Sequence, residues 1–178
     1  MINFFYILGG IALLKLLKMN YHDKISEHIT FAEAIKSNTA IKYGIKNVPD
    51  AGHLENMKRT AKYVFEPLRK HFGVPIRVNS FYRSKRLNSK LPFHSKTSQH
   101  MKGQAIDISS LRSSVTNADL FHYIKDNLDF DQLIWEFGTS KNPNWVHVSY
   151  VAPGKNRKQI LQAIIKNGKK MYVKYPYR

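Results

Sequence analysis

The segment Ser98-Gln-His100-Met-Lys-Gly103-Gln-Ala105-Ile-Asp107 sets an imidazole and a carboxylate seven positions apart, with small residues between them. Gly103 and Ala105 allow a tight backbone turn that returns Asp107 beside His100. A second imidazole lies in Trp145-Val-His147-Val-Ser149, where strand alternation puts Trp145, His147 and Ser149 on one face. Two His and one Asp form a borderline-soft donor set that suits one Zn²⁺ ion. Three protein ligands leave a fourth tetrahedral position for water, as in catalytic zinc sites, where the metal acidifies that water and polarises a carbonyl. Spacing alone leaves a plainer reading open, in which each His is an ordinary hydrogen-bonded side chain.

More than the spacing points to a metal. Ser98, His100, Gly103, Ala105 and Asp107, followed by Trp145-x-His147, resemble the SxHxxGxAxD and WxH signatures of the M15 zinc peptidases, a family that includes D-alanyl-D-alanine carboxypeptidases and phage endolysins. The resemblance continues upstream through Pro67-Leu-Arg69, Pro75-Ile76, Ser80-Phe-Tyr82-Arg83-Ser84 and Leu87-Asn88, in the same order, and covers residues 26–150. Separated motifs that agree in order are far more specific than one motif. The resemblance implies a small α+β domain with a central antiparallel sheet flanked by helices, zinc on His100, Asp107 and His147, and hydrolysis of peptidoglycan stem peptides. Hedgehog-type signalling domains are similar around the metal, so the fold by itself does not dictate catalysis.

Hydrolysis also requires a base. Many relatives carry an acid three residues before the second His, but here that residue is Asn144, and the carboxylates nearby in sequence are Glu136 and Asp131. Glu136 is the preferred catalytic base because it interrupts the apolar run Leu133-Ile-Trp-Glu136-Phe, where an acid is costly without a partner. The alternative is a structural ion pair of Glu136 with Arg83 or a lysine. Arg83 matches the family's Tyr-Arg-Ser position and is expected to bind a substrate carboxylate or the oxyanion. Ser98, Gln99 and Tyr82 are the further candidate substrate contacts. Phe81 stands where relatives usually have Gly, which changes the expected shape of that cleft wall. His94 reads as a solvated loop side chain.

These residues need elements to hold them. Thr30-Phe-Ala-Glu33 is a capping-box pattern that starts a short helix. Leu54, Met57, Ala61, Val64, Leu68 and Phe72 recur at helical spacing, and Gly73 and Pro75 end that helix. Residues 76–80 read as a strand, 117–127 as a helix, and 132–137 with 145–150 as two strands joined by a loop. Residues 156–167 read as a helix closed at Gly168, and 171–175 as a last strand.

Bulk composition bounds the rest. With 178 residues and 43% hydrophobic content, one domain is expected. The absence of cysteine excludes disulfides, thiolate ligands and thiol nucleophiles. The net charge of +17 suits an anionic partner: acidic wall polymer, phospholipid or nucleic acid. Nucleic acid is disfavoured, since only charge and no recognition motif supports it. Between Glu66 and Asp119 the one acid is Asp107, and none follows Glu136. An apolar N-terminal segment, residues 1–25, is expected to precede a peptidase domain spanning 26–178 with a basic tail. Its residues 1–18 fall short of the roughly 20 that a spanning helix needs and read equally as a packing helix or as an anchor to a membrane or virion. The expected location is the cell envelope, the periplasm or a phage virion. A non-catalytic, zinc-containing wall-binding or virion module of the same fold is the competing reading, favoured by Asn144.

Overall fold

The computed structural model describes Asn20 and residues 22–176; the apolar segment 1–18 lies outside them. Strands β1 (Lys24–Ser26) and β2 (Ile29–Thr30) form a small antiparallel hairpin that straddles residue 25. Helix α1 (Phe31–Ile35) starts as its residues dictate: Thr30 Oγ1 accepts from the Glu33 amide at 3.2 Å, and the Glu33 carboxylate accepts from the Thr30 amide at 2.9 Å. Helix α2 (Asn38–Lys42) is capped by Ser37. Helix α3 (Ala51–Thr60) begins at the Asp50 cap and runs through a π-helical turn, Ala61–Phe65, into α4 (Glu66–Phe72). Pro67 explains the turn, because its missing amide hydrogen breaks the regular α ladder there. The expected apolar stripe holds through the irregularity, with Leu54, Met57, Ala61, Val64 and Leu68 all buried.

The main sheet has the order β3-β4-β6-β5-β7-β8 and comprises β3 (Ile76–Ser80), β4 (Ala105–Ser110), β5 (Gln132–Glu136), β6 (Trp145–Ser149), β7 (Gln159–Lys166) and β8 (Lys169–Lys174). Helix α5 (Lys85–Asn88) follows β3, and α6 (Asn117–Asn127) follows β4. Alternation divides the sheet into two faces. Ile106, Ile108, Leu133, Trp135, Val146 and Val148 join the core with Leu120, Phe121 and Ile124 of α6. The opposite face carries Asp107, His147 and Glu136, so the helices support the site from behind.

The mixed α+β architecture agrees with the sequence reading, with one addition and one correction. The addition is that β5 and β7 pair in parallel, whereas every other neighbouring pair in the sheet is antiparallel. The correction concerns residues 156–167, read as a helix and found as loop followed by β7. Ile160 and Ile164 imitate helical spacing, but the open edge of β5 captures the segment, and Asn167-Gly168 is a two-residue hairpin turn with both φ angles positive (52° and 71°). Gly168 closes a hairpin rather than a helix.

Candidate metal centre

Each member of the His/Asp/His set is held by a different element. His100 lies in a 3-10 turn, Gln99–Lys102, after which Gly103 adopts a left-handed φ of 69° and sends the chain into β4. A side chain at Gly103 would meet the His53 carbonyl oxygen at 2.4 Å, so close packing against α3 also requires glycine. Asp107 is in mid-strand on β4, and His147 is its direct partner on β6. All three are buried.

The prospective ligand atoms form a small triangle. His147 Nδ1 lies 2.8 Å from Asp107 Oδ1, His100 Nε2 is 3.2 Å from the same oxygen, and the two ring nitrogens are 3.2 Å apart. Zn–N and Zn–O bonds of about 2.0–2.1 Å in tetrahedral geometry separate donor atoms by about 3.3 Å, so the triangle is close to the size a zinc ion needs. The Nδ1–H of His100 donates to the Phe81 carbonyl at 2.7 Å, leaving the Nε2 lone pair directed into the site. Burial, reinforced by the nearby Arg83 and His147 and opposed by Asp107, pushes His100 down to about 4, so it is neutral and able to ligate at physiological pH. Burial alone would raise Asp107, but His100 and Arg83 outweigh it and hold the carboxyl well below its usual range.

Arg83 donates through Nη2 to Asp107 Oδ2 and through Nε to Ser80 Oγ at 2.8 Å. It therefore braces the metal-site carboxylate rather than pairing with Glu136. The β5–β6 register, which sequence could not fix, puts Glu136 opposite Trp145 and Ile134 opposite His147. Glu136 thus shares the face of His147, and both line a cleft of about 300 Å³ with Arg83, His100 and Asp107. Burial raises the Glu136 carboxyl above its ordinary value against the opposing pull of Lys170 and His147. Its partner is Lys170, whose Nζ lies 3.0 Å from Oε2 and 3.3 Å from Oε1. The lysine ion pair of the alternative reading is thus present, and the same carboxylate lies in the cleft.

A second cleft of about 660 Å³ meets the first at Ser95, Ser98, His147 and Tyr172. Ser98 lies on this shared rim. Gln99 lines the larger cleft and donates to Asp131 Oδ2 at 2.9 Å. Asp131 also accepts from Arg157 Nε at 2.8 Å and is fully engaged as a structural carboxylate. Tyr82 is a correction: it does not reach either cleft but is buried in the core, its ring centroid 5.5 Å from that of His53. The chain leaves β3 at Ser80, strand alternation stops, and Phe81 and Tyr82 both turn inward. Phe81 consequently meets His100 through its carbonyl, while its ring packs in the core rather than forming cleft wall. Asn144 is exposed in the β5–β6 connection, its amide donating to the Glu136 carbonyl at 3.0 Å. His94 is exposed at the mouth of the smaller cleft.

Lys170 and Tyr172, within the stretch read from sequence as a basic tail, are cleft residues. The Asn167-Gly168 turn was the available signal, since it predicts a hairpin that folds residues 169–174 back along 159–166.

The family model described as Peptidase M15 matches residues 27–149. The chain belongs to the peptidase M15 family. Peptidases of this family are zinc-dependent, and the buried His100, Asp107 and His147 are a group that could bind the metal. Among curated proteins none matches the chain significantly.

Proposed function

We propose that this protein is a zinc peptidase that hydrolyses peptide bonds in peptidoglycan, either in stem peptides or in cross-links, with zinc held by His100, Asp107 and His147. The observation that carries the reading is the presence of an acid, Glu136, in the same cleft as that donor triangle. The net charge of +17 suits an anionic wall, and the place of action is the cell envelope, reached by a cellular or a virion-borne enzyme.

Zinc at the site supplies Lewis acidity toward a peptide carbonyl and acidifies water. Glu136 takes the proton of the attacking water and returns it to the leaving amine. Its raised proton affinity suits both halves of that task. Arg83, anchored on Ser80 and Asp107, stabilises the developing oxyanion through its remaining N–H donors. The Phe81 carbonyl holds the tautomer of His100. Ser98 and Gln99 border the path along which the substrate lies.

A second reading, a zinc-containing wall-binding or virion module without catalysis, is favoured by Asn144 in place of an acid. Digestion of purified peptidoglycan followed by mass spectrometry separates the two. The enzyme reading expects fragments with newly exposed amino termini, and Glu136→Gln is expected to abolish them. Tight wall binding with no cleavage by the unmodified protein supports the module instead.

A further inference from the structure

We infer that Lys170, on a hairpin outside the matched family span, is a positioning residue that fixes the Glu136 carboxylate within the metal cleft; this rests on the role proposed for Glu136. The matched span ends at residue 149, and β7 and β8 follow it. Parallel pairing aligns Glu136 with Ala163, and the next ladder aligns Ala163 with Tyr172. The small Ala163 side chain between them leaves room for Lys170 to reach from the edge strand across β7.

The side chain behaves unlike its neighbours. Lys166, Lys169 and Lys174 of the same hairpin are exposed, as a solvated basic face requires. The Lys170 side chain is 14% exposed, with Nζ bonded to both Glu136 oxygens and lying 4.6 Å and 5.0 Å from the ring centroids of Tyr172 and Phe137. A buried ion pair is no general route to stability, since apolar replacements often serve as well. What it secures is placement. Clamped at both oxygens, Glu136 stays directed along the cleft it shares with His147, and without the ammonium it becomes a buried acid free to rotate or protonate.

The test uses the full chain and soluble muropeptides from purified peptidoglycan, with kcat and KM read from amine release and zinc content measured beside them. Lys170→Met is expected to lower kcat by about tenfold or more, with KM within about twofold and zinc content unchanged. Lys170→Arg, which keeps a cation opposite Glu136, restores most of the loss. Should Lys170→Met not fold, Lys170→Gln, which keeps a neutral donor, carries the same comparison. Full kcat in the folded Met or Gln variant, with Glu136→Gln inactive, overturns the role of Lys170 and leaves the proposed function standing. Full activity in Glu136→Gln overturns the role given to Glu136 and with it that of Lys170.

Discussion

Asp107 and His147 face each other across the β4–β6 ladder, with Asp107 Oδ1 2.8 Å from His147 Nδ1. Backbone register, rather than loop conformation, therefore fixes two of the three donor atoms, and only His100 depends on a turn. Asp107 joins the whole centre, since it accepts from Arg83 and contacts both imidazoles. Asp107→Asn is expected to lower zinc affinity by more than the roughly 10–100-fold that loss of an outer-shell partner costs. Competition titration against a chromophoric chelator measures this, and unchanged affinity would remove Asp107 from the ligand set.

The turn that presents His100 depends on Gly103. An alanine there combines a left-handed φ with a Cβ 2.4 Å from the His53 carbonyl oxygen and 2.7 Å from Met57 Cγ. Gly103→Ala should destabilise the fold by about 2–3 kcal/mol, read as a lower urea midpoint at constant slope. Zinc affinity should fall with it, because the strain is relieved by moving the turn; a variant as stable as the parent contradicts the packing described.

Phe81 offers a separation of stability from metal binding. Its ring is core and its carbonyl orients His100. Phe81→Gly, which installs the residue usual in the family, should cost about 3–5 kcal/mol of stability. At temperatures where the variant stays folded it should still bind one zinc per chain, and loss of the metal without loss of stability would contradict this division of roles.

Asp131 gives a pH dependence with a defined sign. Burial would raise its carboxyl, but hydrogen bonds from Arg157 and Gln99 together with the Arg157 charge outweigh it, and the folded value is depressed. A depressed carboxylate stabilises the fold above its unfolded pKa of about 3.9, and that contribution fades as pH falls through the lower folded value. The stability gap between the parent and Asp131→Asn should be constant from neutrality to about pH 5 and shrink below about pH 4. A gap that widens on acidification would show the sign to be wrong.

What the sequence made legible follows from locality. His100 and Asp107 share one short motif, and His147 alternates with Trp145 on a strand, so residue types and spacing made them candidates, and the resemblance to the M15 signatures set them apart from ordinary hydrogen-bonded histidines. The cleft-facing position of Glu136 needed the β5–β6 register, which loop composition does not encode. Lys170 needed more, because its strand reaches the site through a parallel pairing of β7 with β5, and Ile160 and Ile164 had the spacing of a helix. Tyr82 was misjudged for a local reason: it lies just beyond the end of β3, where the side-chain alternation of that strand no longer applies.

The central claim, a single zinc on His100, Asp107 and His147 that is required for peptide hydrolysis, is tested most directly by measuring bound zinc and muropeptide cleavage together. The measurement compares chelator-treated protein, the same protein given back one equivalent of zinc, and His100→Ala. The predicted result is no cleavage without zinc, recovery at one zinc per chain, and neither tight zinc binding nor cleavage in His100→Ala. Full cleavage by the metal-free protein or by His100→Ala would contradict it.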